Sequence, residues 1–103
     1  MKIAITSITN HVESEVDPRF GRCSYFAIYD TDTKTTEFIP NTAKEASEGA
    51  GPAAVQLIAK HKVSNVVSGD FGAKIKNIMD QLNIEMVIEK DTKKTIQNII
   101  NNL

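Results

Sequence analysis

The chain has 103 residues, 41% of them apolar, which is enough for one hydrophobic core and too little for two. Its 12 Lys and Arg against 13 Asp and Glu leave a formal charge of -1, which exerts no general pull on nucleic acid or anionic lipid. The opening Lys2-Ile3-Ala4-Ile5 lacks the sections of a signal peptide, no apolar run approaches the ~20 residues of a membrane span, and one cysteine excludes both an internal disulfide and a cysteine-only metal site.

The expectation is one cytoplasmic domain over residues 1–103, binding neither nucleic acid nor membrane. Ile3 and Ile5, alternating with Ala4 and Thr6, predict a first strand over residues 2–7. Residues 8–23 form a connection longer than compact domains usually carry, and its polar stretch 9–16 predicts mobility with low hydrogen-exchange protection. Aromatic and branched residues over 24–30, a turn at Thr31-Asp32-Thr33-Lys34 and Thr35 to Ile39 predict a hairpin. Gly49-Ala50-Gly51-Pro52 then leads into a helix with Ala53, Ala54, Leu57 and Ile58 at helical spacing, ending near His61. Val63, Val66 and Val67 predict a buried strand. Ser68-Gly69-Asp70-Phe71-Gly72 turns into a second helix, striped by Ile75, Ile78, Met79 and Leu82 and capped by Ser68 or Asp70. A strand over 84–88 and a helix carrying Ile96, Ile99, Ile100 and Leu103, capped by Asp91 or Thr92, complete the chain.

This order fixes a geometry. If the first three strands form an antiparallel meander, the first and third run the same way, and helical crossovers make the fourth and fifth parallel to them. The long connection and both glycine turns then meet at one sheet edge, the usual ligand position in open α/β sheets. Helix amino termini there favour anions. His61 and the Asp32 turn fall at the opposite edge.

At the converging edge lies Asp17-Pro18-Arg19-Phe20-Gly21-Arg22-Cys23. Arg19 and Arg22 suit forked bonds to an anionic cluster or oxyanion, although Arg19 can instead pair with Asp17. Cys23 is a metal ligand as thiolate or a packed thiol, and His11 is a free imidazole that can ligate. Phe20 is expected to fold inward, and Gly21 to supply a special backbone angle. Gly49, Ala50, Gly51, Gly69, Asp70 and Gly72 are candidate anion contacts, or simply tight strand-to-helix turns. Neither a dinucleotide fingerprint nor a phosphate loop is present, and no Ser/His/Asp set or acid cluster supports hydrolysis.

The motif from Asp17 to Cys23 with Tyr25-Phe26, then Gly49-Ala50-Gly51 and Gly69-Asp70-Phe71-Gly72, resembles the dinitrogenase iron-molybdenum cofactor biosynthesis family, of the NifX and NifB-carboxyl-terminal type. The resemblance implies a ribonuclease H-like α/β fold with a five-stranded mixed sheet in the order 3-2-1-4-5. It also implies a non-catalytic protein that binds or carries an iron-sulfur or iron-molybdenum cofactor precursor. On that reading Cys23 and His11 are ligands, and Arg19, Arg22 and the glycine-turn residues hold the anionic periphery. Donor and acceptor proteins for the metallocluster are the implied partners, and the expected state is a monomer or weak homodimer. The alternative is a regulatory domain that binds a small anion or nucleotide.

Overall fold

The computed structural model describes residues 1–72, 74–91 and 93–103. Five strands, β1 (Lys2–Ser7), β2 (Tyr25–Asp30), β3 (Thr35–Pro40), β4 (Asn65–Ser68) and β5 (Glu85–Ile88), form one sheet in the order β3-β2-β1-β4-β5. β1, β2 and β3 are an antiparallel meander, and β4 and β5 join parallel to β1. The expected strand order and directions are therefore present.

Helices α1 (Ala50–Ala59) and α2 (Ile75–Gln81) cover one face, and α3 (Ile96–Asn101) packs on the other. The period of two along each strand sorts side chains between the two cores. Ala4, Phe26, Ile28, Ile39 and Val66 meet Ala54, Val55 and Ile58 of α1 and Met79 of α2. Ile3, Ile5, Ala27 and Val67 meet Ile96 and Ile99 of α3.

The helices are shorter than their apolar stripes suggest. Leu82 and Leu103 lie beyond α2 and α3 and are exposed, because the last turn of each helix is already closed before them. The cap of α3 is Thr95, not Asp91, and Thr92 lies outside the described residues. Thr95 Oγ1 accepts from the Asn98 amide at 3.1 Å while Asn98 Oδ1 accepts from the Thr95 amide at 3.0 Å, a reciprocal box that satisfies two helix-end donors. Neither Ser68 nor Asp70 caps α2, whose first residue is preceded by Lys74 with no side-chain cap bond.

Main-chain hydrogen bonds fasten the long connection. Ile8 N–H donates to Glu15 O, Val16 N–H to Lys94 O, Ile96 N–H to Ser14 O and Gln97 N–H to Val12 O. These bonds lay residues 8–16 beside the start of α3, and Val16 enters the α3-side core.

Candidate functional site

At Asp17 the connection crosses the sheet edge from the α3 side to the α1 side. The crossing is tied to β1, since Asp17 N–H donates to Thr6 O at 2.9 Å and Thr6 Oγ1 donates back to Asp17 O at 2.6 Å. The Asp17 carboxylate is only 2% exposed, and its Oδ1 accepts from the Arg19 amide at 2.9 Å, closing a turn around Pro18. Arg19 Nε reaches the same oxygen at 3.4 Å while its side chain stays 63% exposed. Phe20 N–H donates to Asp70 O at 3.1 Å, so Arg19 and Phe20 run alongside the continuation of β4.

Beyond the crossing, contacts of shape replace contacts of charge. Phe20 turns inward as expected, 1% exposed, with its ring centroid 5.6 Å from Phe26 and 5.5 Å from Phe71. Gly21 does not have the special backbone angle expected of it, since the glycines at positive φ are Gly49 and Gly72. Its role is close approach: a Cβ there would stand 2.9 Å from Gly51 N and 3.0 Å from Gly51 Cα, both backbone. Gly69 is constrained alike, because a Cβ would stand 2.7 Å from Pro18 Cα. The two glycines let the motif lie directly against α1 and the end of β4.

This packing leaves an open crevice of ≈ 850 Å³ between the starts of α1 and α2. Gly21, Arg22, Ser47, Glu48 and Gly49-Ala50-Gly51 line it from the α1 side, and Phe71, Gly72, Lys74 and Ile75 from the α2 side. The amides of Ala50 and Gly51 have no partner within the helix, as in any first turn, and Gly49 provides no capping side chain. Arg22 and Lys74 bring two cations, and Glu48 is the one carboxylate in the lining.

Of the residues singled out in the sequence, Arg22, Gly49, Ala50, Gly51 and Gly72 come together in this crevice. Five others do not. Arg19 lies with Asp17. Gly69 packs on Pro18, and Asp70 is occupied by its own turn, its Oδ1 accepting from the Gly72 amide at 3.2 Å. His11 is exposed on the half of the connection bound beside α3, with Nδ1 accepting from the Glu13 amide. Cys23 is 0% exposed in the α1-side core, its Sγ donating to Phe20 O at 3.3 Å. Burial, and next the Asp17 carboxylate, push its thiol up to about 12, so at neutral pH the sulfur is a protonated donor rather than a thiolate. Among the described residues no three His, Cys, Asp or Glu side chains converge as a metal-binding group. Phe71, Lys74 and Glu48 carry no such signal in the sequence: Glu48 sits in an exposed polar stretch, Lys74 is a single cation ahead of the α2 stripe, and Phe71 reads only as part of a turn.

A sequence model of the dinitrogenase iron-molybdenum cofactor family matches residues 1–103. The chain belongs to this family. Two solved structures are similar to this family member. The apo form of the orange protein from Desulfovibrio gigas has a TM-score of 0.89 and 28% identity, over 98% of this chain and 84% of that one. A putative NifB protein from Thermotoga has a TM-score of 0.82 and 27% identity, over 97% of this chain and 84% of that one. No curated protein matches the sequence significantly. No helix among the described residues is long and apolar enough to cross a membrane.

Proposed function

We propose that the protein binds a preassembled, anionic iron-sulfur or iron-molybdenum cofactor precursor in the crevice between α1 and α2, as a non-catalytic carrier. Arg22, Lys74 and the Ala50 and Gly51 amides contact the sulfide or carboxylate periphery of this cargo. Phe71 and Ile75 give it an apolar wall. The cargo arrives with its metal ions already coordinated, and no bond from metal to protein is required.

The observation that carries this reading is the state of Cys23, a buried, protonated sulfur hydrogen-bonded to the Phe20 carbonyl. A site without thiolate, imidazole or clustered carboxylates holds a cluster from outside its coordination sphere, where charge-assisted hydrogen bonds act. Such a hold is reversible, which suits cargo passed from a donor protein to an acceptor in cofactor assembly. The order 3-2-1-4-5, with its meander followed by parallel strands, supports assignment to the ribonuclease H-like class.

The test is anaerobic titration with a preformed iron-sulfur cofactor, followed by charge-transfer absorption. Saturable binding is expected in the wild type, in Cys23→Ala and in His11→Ala, with affinities within about twofold of one another. Replacing Arg22 and Lys74 together by Ala should weaken binding at least tenfold. Loss of binding in Cys23→Ala with retention in the Arg22/Lys74 variant would overturn the reading in favour of direct ligation.

A further inference from the structure

The connection from β3 to α1 is fastened at its root and nearly free at its tip. The root is Asn41, 5% exposed, whose Nδ2 donates to Gly21 O at 3.1 Å and Cys23 O at 2.9 Å and whose Oδ1 accepts from the Ala43 amide. The tip, Ser47 to Gly49, is exposed and lines the crevice. Among the described residues its three amides donate no hydrogen bond. Between root and tip, one side chain from outside the connection grips its backbone. Arg22 Nη1 donates to Lys44 O at 2.8 Å and to Ala46 O at 2.6 Å. Gly49 then turns the chain into α1 at φ 69°, with nothing within 4 Å of where a Cβ would sit.

We propose that Arg22 is the latch of a strap, residues 44–49, at the rim of the crevice: the guanidinium on the Lys44 and Ala46 carbonyls holds the strap in, and its departure lets the strap swing about Gly49 and open the mouth. The proposal concerns the same crevice as the functional reading and rests on that reading only for what opening would admit. Its chemistry follows from the guanidinium. The two Nη1 hydrogens serve the two carbonyls, while Nε and Nη2 keep three donors for an anion. A solvent-exposed grip of this kind exchanges readily, unlike the buried one at Asn41. Lysine ends one bond short of the position of Nη1 and, having a single nitrogen, has at most one donor left for an anion once two carbonyls are served.

The latch is tested in the free protein, without cargo, so its failure is distinguishable from failure to bind a cluster. Amide exchange is followed in the wild type, Arg22→Ala, Arg22→Lys and Lys44→Ala. The Ala46 amide, which donates to Ala43 O at 3.1 Å, reports on the strap, and Val55 and Ile58 report on α1. Arg22→Ala and Arg22→Lys should speed exchange at Ala46 at least tenfold with Val55 and Ile58 unchanged, whereas Lys44→Ala, which removes only the Lys44–Ser24 bond, should stay within twofold. Maleimide labelling of Ala50→Cys, at the buried crevice lining, should be about tenfold faster when Arg22→Ala is added, peptide mapping separating it from Cys23. Ala46 exchange within twofold of wild type in both Arg22 variants overturns the latch. Faster exchange without faster labelling overturns the gate, leaving Arg22 a brace. Should Ala50→Cys fail to fold, the exchange comparison decides alone.

Discussion

The two halves of the connection between β1 and β2 differ in how far packing adds to their main-chain hydrogen bonds. Residues 8–16 are attached to the start of α3 by backbone hydrogen bonds and bury one apolar side chain fully, Val16. Residues 17–23 have two main-chain bonds, to Thr6 and Asp70, and are attached further by fit: Phe20 and Cys23 in the core, Gly21 against Gly51, and Pro18 against Gly69. Hydrogen bonds between main chains tolerate most side chains, whereas fit tolerates few. The second half therefore reads as a motif and the first as anonymous polar sequence, although both are structured.

The largest difference is expected for Phe20→Ala. It removes a buried ring in tilted contact with Phe26 and Phe71 and should destabilise by about 3–5 kcal/mol in urea denaturation. An equally mild outcome for Phe20→Ala and a first-half change such as His11→Ala would break the contrast. Next comes a pH effect confined to the second half. Because the Cys23 thiol is raised from 9.0 to about 12, the folded state holds that proton more tightly than the unfolded chain. Its stabilising contribution is complete below pH 9 and falls away as pH rises toward 12, with a slope of at most about 1.4 kcal/mol per pH unit. Cys23→Ala should flatten that component of the denaturation profile, and an unchanged slope would deny the thiol its buried, protonated state.

Gly21→Ala is third, with an expected loss of about 1–3 kcal/mol, since the added methyl meets backbone that cannot rotate away. Gly51→Ala sharpens the point: its Cβ would meet only the Ile75 side chain, at 2.6 Å from Cδ1, and it should be tolerated better than Gly21→Ala in urea denaturation. The smallest expected effect lies on the α3 side, where Thr95→Ala should cost about 1 kcal/mol through the lost cap. It should also hasten amide exchange at Val16 and Gln97 before exchange in β1. Simultaneous exchange would mean that the first half is not a separate fastening.

Strand order, strand direction and the converging edge were legible because they follow from hydrophobic period and short connections. Arg22, Gly49, Ala50, Gly51 and Gly72 were legible as neighbours at one crevice for the same reason, being near the ends of elements the topology brings together. Side-chain direction was not. Cys23 and Arg22 are adjacent in sequence, yet one points into the core and the other lines the crevice. Asn41 holds the backbone on either side of Arg22, its Nδ2 donating to Gly21 O and Cys23 O, and its own place is set by the pairing of β2 with β3. Gly21 was legible as a constraint but not as which one, since close approach and positive φ both select glycine. The Thr95 box was present as Thr and Asn three apart, but Asp91 and Thr92 lay closer to where a longer helix was expected to begin.

The pairing of Glu15 with Thr95 and of Val16 with Lys94 joins segments some eighty residues apart. Contacts of such wide sequence separation are slow to form. During synthesis the first half of the connection lacks these partners until residues 94–97 leave the ribosome, whereas Phe20 can already meet Phe26 and Phe71. The contacts that form the wall of the crevice thus need no residue beyond α2, whereas its outer tether waits for residues 94–97.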